Sequence, residues 1–248
     1  MSKTIVITGG SRGIGAATAR LAGKRGWSVA LSYVSNEQAA KDTVAAVESA
    51  GGKAIAVKSD HVVEAEVKDL FDRAAKVFGA IDGVVNNAGI AAPTSTLADM
   101  DIGRIRKVVE VNLTGALLVA RESVRRMGKS RGGRGGVLVN VSSAAAKLGA
   151  PATYVDYAAA KGGVESLTVG LSKEVGPDGI RVVCVRPGVI LTDIHAANGE
   201  PERPYKLGAL APLGRPGTAE EVAASILWLL DDEASYVTGT ILDVSGGR

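Results

Sequence analysis

Short, uninterrupted runs of aliphatic residues alternate along this chain with longer amphipathic stretches, and this order constrains the fold more than any other feature. The runs are rich in Val and Ile and do not alternate apolar with polar residues. Runs of this kind are typical of parallel strands buried on both faces of a sheet. A repeated strand–helix order joins such strands through right-handed crossovers. The sequence therefore predicts an α/β fold, a doubly wound parallel sheet of about seven strands with helices on both faces.

The hydrophobic pattern also gives the limits of the predicted elements. The predicted strands are Thr4–Thr8, Ser28–Tyr33, Lys53–Lys58, Gly83–Asn86, Val137–Val141, Val182–Val185 and Ile241–Val244. The predicted helices are Gly13–Lys24, Glu37–Ser49, Glu64–Phe78, Ile102–Arg126, Tyr157–Val175 and Ala219–Leu230. No Pro- or Ser-rich linker divides the chain, so we expect a single domain over residues 1–248. The stretch 196–212 lacks periodicity and carries three Pro and two Gly, which is typical of a functional loop.

A glycine-rich turn separates the first predicted strand from the first predicted helix. Gly9, Gly13 and Gly15 lack the Cβ atoms that would keep a backbone away from a pyrophosphate. The helix that begins there offers free N–H groups and the positive end of its dipole to an anion. Gly9 and Gly13 are four residues apart, which differs from the common G-x-G-x-x-G spacing. The turn predicts a dinucleotide site at the start of a Rossmann-type domain.

The spacing of this turn, T-G-x-x-x-G-x-G, resembles that of the short-chain dehydrogenase/reductase family, and five more motifs follow in the family's order. The first three are N-N-A-G, which ends in Asn87, Ala88 and Gly89; V-N-L, which contains Asn112; and V-N-V-S-S, which ends in Ser143. The last two are Y-x-x-x-K, formed by Tyr157 and Lys161, and P-G-x-x-x-T, which runs from Pro187 and Gly188 to Thr192. The resemblance covers essentially the whole chain. It implies an oxidoreductase that acts on CH–OH and C=O groups with a nicotinamide cofactor.

The resemblance implies four catalytic residues, Asn112, Ser143, Tyr157 and Lys161. Tyr157 and Lys161 are four residues apart on a predicted helix and therefore share a face. A nearby ammonium favours a phenolate, so we expect Lys161 to lower the pKa of Tyr157. Tyr157 would then exchange a proton with the substrate oxygen as general acid–base. Ser143 would hydrogen-bond the same oxygen, and Asn112 would hold a water that links Lys161 to solvent.

The cofactor contacts follow from the same resemblance. No acidic residue follows the second strand until Glu37, and Arg12 lies inside the glycine-rich turn, which favours NADP(H), with NAD(H) also possible. Asp60 and His61 resemble the family's adenine contact, although Asp60 could instead cap a helix. The full expected set is Gly9, Ser11, Arg12, Gly13, Ile14, Gly15, Tyr33, Ser35, Asp60, His61, Asn87, Ala88, Gly89, Tyr157, Lys161, Pro187, Gly188, Ile190 and Thr192.

The motifs leave the substrate open between a 3-oxoacyl thioester and a sugar or polyol. The stretch from Ser143 to Tyr157 is one residue longer than in the common ketoacyl-reductase pattern, and it contains Tyr154, which has no lysine four residues later. We expect the residues that select substrate in a loop at about 189–213. A non-catalytic, dinucleotide-binding regulatory protein of the same fold is the alternative function.

Composition and charge restrict the partners. The chain has 29 Lys and Arg residues and 26 Asp and Glu residues, so its net charge is small. Basic residues cluster only in residues 121–134, and the glycines of this segment favour a solvated loop over a nucleic-acid-binding surface. The sequence lacks a secretory leader pattern, a membrane-spanning apolar stretch and clusters with metal-ligand spacing. Cys184 is the only cysteine, which suits a reducing compartment. We therefore expect a cytoplasmic protein that binds no metal, nucleic acid or membrane.

Self-association is the remaining expectation. The family resemblance implies a homotetramer. Leu117, Leu118 and Val119 are consecutive on a predicted helix and cannot all face one sheet, so a partner surface would cover the remainder.

Overall fold

The parallel sheet expected from the apolar runs is present. The computed structural model describes residues 2–192 and 199–248. Its strands are β1 (Thr4–Ile7), β2 (Ser28–Tyr33), β3 (Lys53–Lys58), β4 (Gly83–Asn86), β5 (Gly136–Val141), β6 (Ile180–Pro187), β7 (Ile190–Leu191), β8 (Gly217–Thr218) and β9 (Ile241–Val244). Seven of these strands form a sheet in the order β3–β2–β1–β4–β5–β6–β9, with parallel pairing throughout. The doubly wound, Rossmann-type fold is confirmed.

Helices cover both faces of this sheet. They are α1 (Gly13–Lys24), α2 (Glu37–Ser49), α3 (Glu64–Phe78), α4 (Ile102–Val109), α5 (Gly115–Met127), α6 (Ala144–Leu148), α7 (Val155–Val175), α8 (Arg203–Gly208) and α9 (Ala219–Leu230). Ile5 and Ile7 of β1 face a core formed with α1, α2 and α9, whereas Val6 faces a second core formed with α3, α5 and α7. All three side chains are fully buried, which explains why β1 is apolar at every one of these positions.

The order of the strands positions the functional edge. β1 pairs with β2 on one side and with β4 on the other, so the direction of the chain connections reverses between β1 and β4. In doubly wound sheets, ligands bind in the crevice at the carboxyl ends of the strands beside such a reversal. The glycine-rich turn follows β1, and the N-N-A-G segment begins in β4, so both lie at this crevice.

The helix predicted over Ile102–Arg126 is present without a break, but it contains a π turn over Glu110–Thr114 that was not predicted and that divides it into α4 and α5. The ring of His61 packs against this π turn. Its Nε2 lies 2.8 Å from the carbonyl oxygen of Val111, and a Cβ on Gly115 would overlap the ring. The π turn thus accommodates a buried side chain from another part of the chain, a contact that periodicity within the helix cannot reveal.

Four short elements were not predicted: α6, α8, β7 and β8. Helix α8 lies inside the stretch that lacks periodicity, and its six residues include Pro204 at its first turn. A helix of this length has too few turns to produce a recognisable pattern. The loop expected at about 189–213 also includes residues 193–198, which lie outside the described residues.

The basic stretch 121–134 is only partly a loop, because its first residues form the end of α5. Arg126 pairs with Asp72 at 2.6 Å and with Glu122 at 2.7 Å, and Arg121 pairs with Glu64 at 2.5 Å. The prediction of a loop is wrong for residues 121–127, because they are helical; their arginine side chains stay partly exposed and pair with acids on α3 and α5.

Candidate active site

A cavity of about 740 Å³ opens at the carboxyl edge of the sheet. The side chains and backbone that line it come from segments far apart in sequence, following β1, β2, β3, β4, β5 and β6. All the expected catalytic and cofactor residues line this cavity except Gly15 and Asn112, which lie behind its wall. The structure therefore brings the motif residues together in one place.

The glycine-rich turn forms one end of the cavity. Gly9 and Gly13 have φ angles of 63° and 54°, which favour glycine over residues with a side chain. A Cβ on Gly15 would overlap the carbonyl oxygen of Gly9. Arg12 stands at the N-cap of α1, and its side chain makes no capping bond. Gly13 and Ile14 of the first turn of α1 line the cavity, where the free N–H groups at a helix start can bind an anion.

Hydrogen bonds across the sheet hold this turn in place. The Thr8 hydroxyl accepts from the backbone N–H groups of Asn87 and Ala88 at 3.0 and 3.1 Å. The Asn87 side-chain amide donates to the carbonyl oxygen of Thr8 at 2.9 Å. The Ser32 hydroxyl accepts from the N–H of Gly9 at 3.1 Å, so β2 also supports the turn. The ends of β1, β2 and β4 are thus fixed relative to one another.

The side of the cavity beyond β2 carries Arg12, Tyr33 and Ser35. Glu37, the first acidic residue after β2, forms an ion pair with Lys41 at 2.8 Å. The hydrogen bond and charge of Lys41 lower the pKa of Glu37. The carboxylate is thus held by a neighbour on its own helix.

Asp60 and His61 line the cavity after β3. The Asp60 carboxylate accepts from the N–H of Val62 at 3.2 Å, and α3 begins only at Glu64 after Val63. The alternative that Asp60 caps α3 is therefore wrong. His61 is only 6% exposed, and burial lowers its pKa, so the ring is neutral near pH 7.

Tyr157 and Ser143 lie together in the centre of the cavity. Ser143 stands at the N-cap of α6, and Tyr157 lies in the first turn of α7. Burial raises the pKa of Tyr157 to about 12, and a hydrogen bond from Ser143 offsets only part of this rise. The expected lowering of the Tyr157 pKa by Lys161 is therefore wrong for this structure.

The position of Lys161 explains the difference. Its ammonium lies 5.8 Å from the centre of the Tyr157 ring and donates to the carbonyl oxygen of Val141 at 2.8 Å, so it faces the ring rather than the hydroxyl. Lys161 is 4% exposed, and burial lowers its pKa to about 8. It exchanges protons more readily than an exposed lysine.

Asn112 lies in the π turn behind the cavity wall. Its side-chain oxygen accepts from the N–H of Ile90 at 3.1 Å, and its amide donates to the carbonyl oxygens of Ile90 at 2.9 Å and Val108 at 3.0 Å. A Cβ on Gly89 would lie 2.7 Å from the Asn112 oxygen and 3.3 Å from the Lys161 nitrogen. Gly89 thus allows Asn112 and Lys161 to approach the same point of the backbone.

The segment after β6 closes the cavity opposite Tyr157. The N–H of Gly188 donates to the carbonyl oxygen of Val244 at 3.0 Å, and a Cβ on Gly188 would lie 2.7 Å from the Cα of Ser245. The Thr192 methyl lies 3.4 Å from the position that a Cβ on Gly13 would occupy. The P-G-x-x-x-T segment therefore approaches the glycine-rich turn.

Sequence reasoning missed a network beside the serine pair. The Ser142 hydroxyl donates to Glu165 at 2.7 Å, and Arg186 binds both oxygens of the same carboxylate at 2.8 and 2.7 Å. Glu165 follows Lys161 by one helical turn, so the network ties α7 to the ends of β5 and β6. Its only signal in the sequence is the i, i+4, i+8 spacing from Tyr157. Tyr154 and Arg203 were missed as cavity residues too.

Other chemistries receive little support from the described residues. Within 2–192 and 199–248, His, Cys, Asp and Glu form no group able to hold a metal ion. The same ranges contain no helix with the length and apolarity of a membrane span. Cys184 is fully buried in β6, and burial raises the pKa of its thiol to about 12.

Comparisons with known proteins agree with this geometry. A family described as "Enoyl-(Acyl carrier protein) reductase" matches residues 9–248. "Uncharacterized oxidoreductase YgfF" of Escherichia coli (strain K12) is 47% identical over 243 residues, which cover 98% of each chain. "3beta-hydroxysteroid dehydrogenase 1" of Eggerthella lenta is 42% identical, over 99% of this chain and 93% of the relative. The crystal structure of levodione reductase superposes with a TM-score of 0.91 at 32% identity, over 99% of this chain and 96% of that one.

Proposed function

The chain belongs to the short-chain dehydrogenase/reductase family of oxidoreductases, and from this premise we propose that it transfers a hydride between NADP(H) and a carbonyl or secondary-alcohol substrate, with Tyr157 as general acid–base. One observation carries the proposal. Tyr157, Ser143 and Lys161 line the same cavity as the glycine-rich turn, so a dinucleotide held by the turn would reach them. A cavity that served only for dinucleotide recognition would not need this arrangement.

The residues divide the proton chemistry between them. In the reducing direction, the Tyr157 hydroxyl donates its proton to the substrate oxygen as hydride adds to the carbonyl carbon. Ser143 hydrogen-bonds the same oxygen and stabilises the charge that develops on it. Lys161, whose pKa is about 8, faces the Tyr157 ring rather than its hydroxyl, so it would return a proton to Tyr157 through an intervening water and not by direct contact. In the oxidising direction, each proton moves the opposite way.

The cavity suits a nicotinamide dinucleotide. Gly9 and Gly13 line the cavity without side chains, and Gly15 lets the turn pack closely against Gly9. Gly13 and Ile14 place the start of α1 at the cavity, as a pyrophosphate site requires. When bound, this cofactor supplies or accepts the hydride. Asp60 and His61 would hold the adenine, and Pro187, Gly188, Ile190 and Thr192 would enclose the nicotinamide.

A preference for the phosphorylated cofactor is supported by the charges around β2. Arg12 is exposed and lines the cavity, and among the described residues its guanidinium has no acidic partner. Glu37 is engaged with Lys41. A 2′-phosphate would therefore meet a free cation with no competing carboxylate.

Substitution of Tyr157 tests the proposed reaction. Tyr157→Phe removes only the hydroxyl, so we expect turnover to fall by at least about a hundredfold while NADPH affinity changes by no more than a few-fold. NADPH absorbance with a panel of ketones and secondary alcohols measures the rate, and fluorescence titration measures the affinity.

The matched control is Tyr236→Phe, because Tyr236 is fully exposed and outside the cavity. Retention of a tenth or more of the wild-type kcat in Tyr157→Phe would contradict the acid–base role. If the wild-type protein binds NADPH but turns over no member of the panel, the chain is the non-catalytic dinucleotide-binding protein instead.

A further inference from the structure

A second polar cluster lines the cavity beside Tyr157. It consists of Tyr154, Arg203, Glu200 and Thr94, which lie on α8 and on the segments that precede α4, α7 and α8. Much of the surrounding wall is apolar, with Ile90, Ala91, Ala92, Leu148, Ala150, Pro151 and Leu207. A few placed polar groups in an apolar wall are typical of positions that orient a ligand.

The cluster is adjacent to the proposed acid–base residue. The ring of Tyr154 meets the ring of Tyr157 edge to face, with 5.6 Å between their centres and 89° between their planes. The Arg203 guanidinium lies 5.2 Å from the centre of the Tyr154 ring, and its Nη2 donates to the Tyr154 hydroxyl oxygen at 3.2 Å. A substrate whose reacting carbon faces Tyr157 would therefore have a neighbouring part beside Tyr154.

Two donors in this cluster lack acceptors. The Tyr154 hydroxyl oxygen accepts from Arg203, but within residues 2–192 and 199–248 its own hydrogen has no acceptor. The buried Nε of Arg203 likewise has no hydrogen-bond partner in the described part of the chain. Buried polar groups are normally paired, so the unpaired Nε of Arg203, together with the half-buried Tyr154 hydroxyl beside it, indicates a place for a ligand oxygen.

The charges decide what kind of oxygen fits. Glu200 pairs with Arg203 at 2.6 Å and also accepts from the Thr94 hydroxyl at 2.6 Å. The positive charge of Arg203 is therefore paired with the Glu200 carboxylate. A carboxylate at this position would meet the repulsion of Glu200, whereas a neutral hydroxyl oxygen would not.

The loop before α7 supports the position of Tyr154 at some cost in backbone energy. Ala150 and Ala152 have φ angles of 45° and 53°, in the left-handed region that non-glycine residues rarely adopt. The N–H groups of Thr153 and Tyr154 both donate to the carbonyl oxygen of Ala150 at 3.2 Å. Strain of this kind persists where the surrounding structure enforces it, often at functional sites.

We propose that Tyr154 and Arg203 form a substrate subsite that takes an uncharged hydroxyl oxygen borne by a carbon other than the reacting one. The Tyr154 O–H donates to this oxygen, and Arg203 fixes the Tyr154 hydroxyl for the purpose. The chain would thus favour hydroxylated ketones over unsubstituted and carboxylated ones. The subsite rests on the proposed function, because it requires the reacting carbon to lie at Tyr157.

Matched ketones test the subsite. We would measure kcat/KM with NADPH for cyclohexanone, for its 2-, 3- and 4-hydroxy derivatives, and for 4-oxocyclohexanecarboxylate. In Tyr154→Phe, the ratio of the best hydroxyketone to cyclohexanone should fall about three- to tenfold, the value of one neutral hydrogen bond. Tyr205→Phe is the control, because Tyr205 lies exposed on α8 and outside the cavity lining, and it should leave this ratio unchanged.

Glu200→Gln tests the charge balance. It leaves Arg203 uncompensated, so the ratio of 4-oxocyclohexanecarboxylate to 4-hydroxycyclohexanone should rise relative to wild type. An unchanged or lower ratio would overturn the argument for an uncharged oxygen. An unchanged hydroxyketone ratio in Tyr154→Phe would overturn the subsite itself.

Binding separates this proposal from the proposed reaction. The affinities of the NADP⁺ complex for 1,2-, 1,3- and 1,4-cyclohexanediol and for cyclohexanol are measured by calorimetry, which needs no turnover. Preference for a diol that Tyr154→Phe abolishes supports the subsite even if no ketone is reduced. Equal affinity for the diols and cyclohexanol in the wild-type protein would overturn the subsite, whatever the rates.

Discussion

Burial moves the pKa values of Tyr157 and Lys161 in opposite directions. Each side chain loses water that would solvate its charged form, so the phenol keeps its proton to about pH 12 and the ammonium loses its proton near pH 8. Lys161 is therefore the member of the pair that exchanges protons near neutral pH. Tyr157 holds its proton until a substrate oxygen takes it.

Arg12 is the residue on which the cofactor preference depends. Arg12→Ala removes the cation from the cavity edge, and one charge-assisted contact to phosphate is worth about 1.5–3 kcal/mol. We expect NADPH affinity to fall roughly ten- to a hundredfold, with NADH affinity nearly unchanged. Fluorescence titration of both cofactors measures the two changes.

The matched control for this change is Arg73→Ala, because Arg73 pairs with Asp69 on the exposed face of α3, outside the cavity lining. It should alter neither affinity. Equal losses for NADPH and NADH in Arg12→Ala, or a wild-type preference for NADH, would contradict the assignment.

Single residues differ in how far the sequence can predict them. Tyr157 and Lys161 were predicted because a family motif fixes their spacing. Tyr154 and Arg203 are 49 residues apart and share no motif, and only the folded chain brings them together. The shifted pKa of Tyr157 was also beyond the sequence, because it depends on burial and on the direction in which the Lys161 ammonium points.

At the scale of elements, the π turn between α4 and α5 packs against a side chain from another part of the chain. The His61 ring occupies the space beside Gly115 and binds the carbonyl oxygen of Val111. The same π turn carries Asn112, whose side chain forms hydrogen bonds with the backbone of Ile90. A change in the segment after β3, which carries His61, should therefore affect the position of Asn112.

A double-mutant cycle tests this connection. Gly115→Ala places a methyl group against the His61 ring, so we expect it to lower the free energy of unfolding by about 1–3 kcal/mol. In a His61→Ala background the ring is gone, and the same substitution should cost less. Urea unfolding of the wild type, the two single variants and the double variant measures the coupling.

Gly170→Ala on α7 is the control for this cycle, since nothing lies within 4 Å of the Cβ it would add. An added methyl group in open helix surface should be neutral or stabilising by roughly 0.5–1 kcal/mol. Equal effects of Gly115→Ala with and without His61 would refute the steric account.

The elements with strong periodicity were predicted most closely. α1, α2, α3 and α9 have the predicted bounds, because their amphipathic patterns run over many residues between clear start and stop signals. α8 and the two-residue strands β7 and β8 are too short for any period. The π turn in the long helix was missed for a different reason, since the side chain packed against it comes from the loop that follows β3 and not from the helix.

At the scale of the whole molecule, several large apolar side chains remain exposed. Leu117 is 44% exposed and Ile102 is 61% exposed, whereas Val119 is fully buried against the sheet. Leu117 is thus the one of the three consecutive apolar residues that faces away from the core. Burial by a second copy of the chain would cover the exposed apolar side chains of Ile102 and Leu117.

We expect a homotetramer, by family resemblance. Light scattering at micromolar concentration should give a mass about four times the 25.2 kDa of one chain. Leu117→Glu should lower this mass by placing a charge in the interface, whereas Val77→Glu on the exposed side of α3 should not. A wild-type mass equal to one chain would refute the expectation.

The overall architecture was predictable because each strand is specified by apolar residues within its own short segment of sequence. Every strand of the sheet contains adjacent Val, Ile or other apolar residues, and parallel pairing follows from the intervening helices. The strand order was not predicted from the apolar runs, because several orders satisfy the same alternation of strands and helices. The reversal between β1 and β4, which creates the crevice, comes from long-range pairing.

The burial of Cys184 has a consequence for measuring motion. With the thiol fully enclosed in β6 and its pKa raised to about 12, the natural chain offers no reactive sulfur to a maleimide probe. Tyr205→Cys would then carry the sole accessible thiol, on the outer side of α8. A fluorophore attached there would report, without background labelling, how α8 moves as ligands enter and leave.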